Sequence, residues 1–177
     1  MQFMKFNTVR DKFIFYDFPA ILFSLIPFFL ITGPFLSDLS ISLISLLFIF
    51  YCIKEKNFSF FNNVYFYFFL IFWLYLLLNI FTNNFNIDSL GTVLVYIRYG
   101  IFVIAMITLL NTDHNFIKYF FYCIFICFAA LILDGFFQYF TGENIFGFKT
   151  PNNYRVSSFF NDEMILGSYL SRLWPIF

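Results

Sequence analysis

The chain has 177 residues, 62% hydrophobic and 11% charged, with a mean hydropathy of +0.83. A soluble domain of this length must cover its surface with polar groups, so this balance excludes one and defines an integral membrane protein. Ten Lys and Arg stand against ten Asp and Glu, and without a basic surplus a nucleic-acid partner is excluded.

The first apolar run covers about residues 18–36, opened by Pro19 and interrupted by Pro27. Lys5, Arg10 and Lys12 precede it as in a signal peptide, but no small-x-small cleavage site follows and further apolar runs do. Ser37-Asp38 reads as a tight turn into a second run over 39–53, which ends at Lys54-Glu55-Lys56. The third run covers 64–81, and a polar loop over 82–89 leads to the fourth, 90–110. Residues 111–118 link to the fifth run, 119–140, and a longer polar stretch, 141–161, precedes a sixth that starts near Asp162 and is cut off at Phe177. A spanning helix needs about 20 apolar residues. The predicted fold class is therefore all-α: a single, partial, polytopic helical membrane domain over 1–177 with about five complete transmembrane helices and the start of a sixth.

Basic residues set the expected orientation. Lys5, Arg10, Lys12, Lys54, Lys56 and Lys118 fall in the N-terminus and in the second and fourth loops, whereas the first and third loops hold no Lys or Arg. The positive-inside rule then places the N-terminus in the cytoplasm and the 141–161 loop outside. That outer loop carries Lys149 and Arg155 against the rule, which suggests use.

Other features read as structural. Coding bias toward A and T accounts for the 34 Phe and 12 Tyr better than an aromatic binding function does. Cys52, Cys123 and Cys127 read as buried apolar thiols, and no metal site is predicted. His114 reads as solvated surface. Gly167 and Ser171 have the small-x-x-x-small spacing of close helix packing. No soluble domain, internal repeat or G-x-x-x-x-G-K-[ST] phosphate loop occurs, so ATP-driven chemistry has no support.

The charges within the apolar runs carry the functional signal, because an intramembrane arginine costs roughly 2.5–3.5 kcal/mol on insertion scales. Arg98 lies about 8 residues from the outer end of the fourth run, roughly 12 Å deep at 1.5 Å per residue. Asp134 sits at roughly similar depth in the fifth, and the two are expected to pair. Arg172 is expected near the same level in the sixth. Together they would face one outer cavity; the alternative is that each is neutralised separately or snorkels to the interface. Asn161 reads as an N-cap, with Asp162 and Glu163 in the first helical turn, where the dipole favours acids.

The segment Asp134-Gly-Phe-Phe-Gln-Tyr-Phe-Thr-Gly-Glu-Asn-Ile-Phe-Gly147, followed by Arg155-Val-Ser-Ser-Phe-Phe-Asn-Asp-Glu-Met-Ile-Leu-Gly-Ser-Tyr-Leu-Ser-Arg172-Leu-Trp-Pro175, resembles the O-antigen ligase and polymerase family. Members often read Gln-Tyr-x-x-Gly, then Arg-x-Ser-Gly-x-Phe, then Glu-x-x-x-Gly-Ser-Tyr-Leu, and many have a counterpart of Arg98. The likeness is concentrated in about residues 90–177, and Ser158 stands where the pattern has glycine.

The resemblance implies a multi-pass glycosyltransferase of the bacterial inner membrane. It would move glycan from a polyprenyl-pyrophosphate carrier, on the periplasmic face, to lipid A–core or to a second lipid-linked glycan. It implies no nucleotide sugar, metal or other cofactor, and membrane lipids as surrounding partners. Arg155 would lead in binding the carrier pyrophosphate or glycan, with Arg98, Arg172 and Lys149 behind it. Asp134 or Glu163 would orient the arginines; the catalytic residues remain unknown. Family members have about twice as many helices, so the chain reads as a truncated product or fragment, inactive alone. The alternatives are a lipid-linked oligosaccharide flippase or transporter, and a noncatalytic membrane fragment.

Overall fold

Long runs of Phe, Leu and Ile leave the helix as the way to satisfy backbone groups within lipid, since each N–H then finds its acceptor in its own segment. The computed structural model describes residues 4, 6, 8–82, 86–113, 115–150, 155–160 and 165–176. Five helices are long and apolar enough to cross a membrane: α1 (Val9–Thr32), α2 (Pro34–Lys54), α3 (Val64–Thr82), α4 (Ile87–Thr112) and α5 (Phe116–Thr141). A short helix, α6 (Leu166–Leu173), follows. No strand occurs among the described residues. The protein is an all-α, multi-pass membrane protein.

The first connection differs from the sequence expectation. Ser37 and Asp38 lie inside α2, and the turn is at Gly33, whose φ of +131° is open to glycine but strained for other residues. The Gly33 N–H closes α1 on the Phe29 carbonyl at 3.1 Å, and Pro34 starts α2 at the position where a missing N–H costs nothing. Ser37 is tolerated there because its hydroxyl donates to the Pro34 carbonyl at 2.9 Å.

The described chain forms two compact units. The first comprises Met1–Phe23 and Asp38–Phe116. Its core joins Tyr16 of α1, Ile44 and Phe48 of α2, and Ile104 and Leu109 of α4. Lys54 at the end of α2 forms an ion pair with Asp11 in the first turn of α1. α4 breaks at Tyr96, between Ile87–Val95 and Ile97–Thr112. There the Trp73 indole of α3 donates to the Val93 carbonyl at 2.7 Å. One turn on, a Cβ at Gly100 would sit 2.3 Å from the Phe69 ring, so α3 and α4 meet where only glycine fits.

The second unit comprises Ser24–Ser37 and Ile117–Phe177. Its small core joins Leu131 of α5, Phe160 and Leu166. Leu166 packs beside Gly135, where an added Cβ would lie 3.4 Å from Leu166 Cδ2, and the Trp174 ring is 6.2 Å from that of Phe128. Between these contacts α6 runs back along α5 over seven residues, about 10 Å. A sixth helix is thus present and antiparallel to α5, but it starts at Leu166 and not near Asp162, with Ile165 at its N-cap and no side-chain cap. Gly167 and Ser171 do not mediate its packing, since Gly167 faces open space and Ser171 is exposed.

Candidate functional site

Asp134 and Gln138 are four residues apart and therefore share one face of α5. Both are essentially fully buried, as are Ser157 and Ser158, and Asn144 is 3% exposed. Polar groups so deeply withdrawn from water need partners. The Ser158 hydroxyl donates to Asp134 Oδ2 at 2.6 Å, and the Ile145 N–H donates to Oδ1 at 3.0 Å. Gln138 Oε1 accepts the N–H groups of Ser157 at 2.9 Å and Ser158 at 2.7 Å. Gln138 Nε2 donates to the Phe148 carbonyl at 3.2 Å, and Asn144 Nδ2 to the Ser158 carbonyl at 2.9 Å. Two stretches of the loop after α5, Glu143–Lys149 and Ser157–Ser158, are thereby fastened to the helix they leave.

Ser158 has a φ of +52°, in the left-handed region that glycine adopts most easily. It is the position at which the resemblance expects glycine. The hydroxyl bond to Asp134 offsets the strain of a side chain there. Arg155 sits two residues before the clamped pair and is exposed. Lys149 is also exposed, and its Nζ lies 3.9 Å from a Glu143 carboxylate oxygen across the base of the turn. Arg172, on α6, is exposed as well.

Arg98 belongs to the first unit, and its partner is not the one expected. Its guanidinium donates to Asp38 Oδ1 at 2.6 Å and to the Ser42 hydroxyl at 2.9 Å, both on α2. The Tyr99 hydroxyl donates to the same Asp38 oxygen at 3.0 Å, and the guanidinium lies 5.0 Å from the Tyr99 ring centre. The Ser45 hydroxyl donates to the Arg98 carbonyl at 2.9 Å, while Arg98 Nε is buried and has no acceptor among the described residues. The expected Arg98–Asp134 pair is therefore replaced by two separate arrangements. Arg98 is neutralised by Asp38, and Asp134 binds the Ser158 hydroxyl and the Ile145 amide. The reason is the turn at Gly33, which puts Asp38 inside α2 as a side chain that must find a cation. Asp38, Ser42 and Ser45 at i, i+4 and i+7 form a polar stripe legible in the sequence once that helix is extended.

Glu163, Asn161 and Asp162, expected at the start of the sixth helix, lie outside the described residues, as does His114. Sequence reasoning also missed Gln138 and Asn144 as clamp residues. The signal was the i, i+4 pair of Asp134 and Gln138 on an otherwise apolar helix.

Compared with known protein families, with curated proteins and with solved structures, the chain finds no match.

Proposed function

We propose that the protein is a membrane glycosyltransferase of the O-antigen ligase or polymerase kind, acting on a polyprenyl-pyrophosphate-linked glycan at the periplasmic face of a bacterial inner membrane. The observation that carries the reading is Ser158. Its left-handed backbone occupies the position where the family pattern has glycine, so chain geometry and sequence motif agree at a conformation that other side chains rarely adopt.

The chemistry suits the exposed cations. As the glycosidic bond to the carrier breaks and the acceptor hydroxyl, giving up its proton to solvent, forms the new one, negative charge gathers on the pyrophosphate oxygens that leave. A guanidinium offers two parallel, permanently charged donors for such an anion. Arg155 is held close to a rigidly clamped backbone, which limits the reorganisation needed at the moment of reaction. Lys149 adds a second positive charge on the same loop. Arg172 is open to ligand on α6. Arg98 has a supporting part, since its charge is already shared with Asp38. The acceptor is lipid A–core or a second lipid-linked glycan.

The test is glycan transfer in cells expressing the gene's entire product. Arg155→Ala should lower transfer roughly 100-fold, the scale of losing one preplaced charge-stabilising donor, with membrane insertion unchanged. Transfer at the unaltered rate would remove Arg155 from the site and the reading with it.

A further inference from the structure

The loop after α5 contains a turn that is irregular and apolar and whose N–H groups are all satisfied within the protein. All five N–H groups from Asn144 to Phe148 have acceptors within the protein. Asn144 donates to the Phe148 carbonyl at 2.9 Å, Ile145 to Asp134 Oδ1 at 3.0 Å and Gly147 to the Asn144 carbonyl at 2.9 Å. Phe146 and Phe148 both donate to Asn144 Oδ1, at 3.0 and 2.7 Å. Gly147 supplies the left-handed residue, φ +82°, that lets the turn close on itself. Loops in water leave many such groups to the solvent. At the edge of a bilayer, where solvent is scarce, N–H groups are best satisfied internally, as they are here, while the carbonyls of Ile145–Gly147 stay within reach of the headgroup layer.

The side chains of this turn point the same way. Ile145 is 67% exposed and Phe146 72%, although both are held rigidly from behind. The Phe146 ring also packs against that of Phe159, in the 3-10 turn Ser158–Phe160, with centroids 5.3 Å apart and planes tilted by 60°. The turn doubles back along α5: its Ile145 amide reaches Asp134, seven residues, or about 10 Å, before the helix ends at Thr141. Over that stretch α5 presents exposed Phe136, Phe137, Tyr139 and Phe140. The turn therefore lies beside the last apolar turns of a membrane-crossing helix. Lys149 follows it with an exposed ammonium suited to lipid phosphate.

We infer that the Asn144–Phe148 turn is a membrane-embedded anchor, with Ile145 and Phe146 in contact with the acyl chains of the bilayer that α5 crosses. In this arrangement the buried Asp134 carboxylate replaces the water that the Ile145 amide would otherwise need. The loop carrying Arg155 is thereby held at lipid headgroup level, independently of the reaction the protein performs.

The test is the location of residue 146 in vesicles of phosphatidylethanolamine and phosphatidylglycerol. Spin labels go onto Phe146→Cys, Ile145→Cys and, as the comparison, Lys149→Cys, after the native thiols Cys52, Cys123 and Cys127 are replaced by Ala. Collision with oxygen, which concentrates in lipid, should exceed collision with a water-soluble nickel chelate severalfold more at 145 and 146 than at 149. Equal accessibility at the three positions overturns the inference, and so does shielding of 145 and 146 from both reagents, which would mean that protein covers them. The same question is asked with the native cysteines by photocrosslinking from p-benzoylphenylalanine in place of Phe146. Phospholipid adducts support the anchor, and protein adducts alone or no lipid adduct refute it.

Discussion

Ser158 makes two opposed demands on one residue. Its φ of +52° costs an ordinary side chain about 1–2 kcal/mol, while its hydroxyl bond to the buried Asp134 carboxylate contributes about 1.5–3 kcal/mol. The two contributions separate by substitution. Ser158→Ala loses the bond and keeps the strain, so thermal unfolding in detergent should show the full loss of about 1.5–3 kcal/mol. Ser158→Gly loses the same bond but relieves the strain, and should recover about 1 kcal/mol of it. Equal destabilisation by Ala and Gly would show that the left-handed backbone is not what the site has to accommodate. Asp134 could be singled out in the sequence as a carboxylate in an apolar run, but its partner could not. The residue that binds it lies 24 positions away, beyond a loop whose path depends on Asn144 and Gln138.

At the scale of elements, the Arg98–Asp38 ion pair ties α4 to the second turn of α2. The Arg98 and Asp38 side chains are 27% and 42% exposed, so the pair is part-desolvated. Removing one partner leaves a charge that lipid will not solvate, whereas removing both leaves none. Asp38→Asn and Arg98→Gln should each destabilise the protein, and the double variant should cost less than their sum by about 1–3 kcal/mol in an unfolding cycle. Strict additivity would show that the two groups do not support each other. Helix positions were largely legible: the third run, read as 64–81, is Val64–Thr82, because nothing polar interrupts it. The Gly33 turn was not, because Ser37-Asp38 is the more polar pair and outweighed a Gly-Pro step whose meaning is conformational. A carboxylate in an exposed turn needs no partner, so a turn at Ser37-Asp38 hides the pairing of Asp38 with Arg98. The break in α4 at Tyr96 was also hidden, because it depends on the Trp73 indole of another helix.

At the scale of the whole molecule, five helices able to cross a membrane follow from composition and run length alone. Lys and Arg placement predicts the sidedness, and the proposed function depends on it. Reporter fusions after Lys56 should be active only in the cytoplasm, and fusions after Thr82 only on the translocated side. The reverse pattern would put Arg155 in the cytoplasm, where a periplasmic transfer reaction has no access to it. The charges were legible one at a time, but their grouping was not. Arg98 has its counterion in the first unit, and Arg155 and Lys149 stand on the clamped loop of the second. The loop cations therefore carry the proposed chemistry. The most direct measurement is binding of a polyprenyl-pyrophosphate by the protein in lipid nanodiscs, with Arg155→Gln set against the control Lys118→Gln in the first turn of α5, at the opposite end of that helix from the loop. Loss of a charge-assisted bond of about 1.5–3 kcal/mol predicts affinity weakened about tenfold or more for Arg155→Gln, with Lys118→Gln unchanged. Equal affinity in all three proteins would contradict the account.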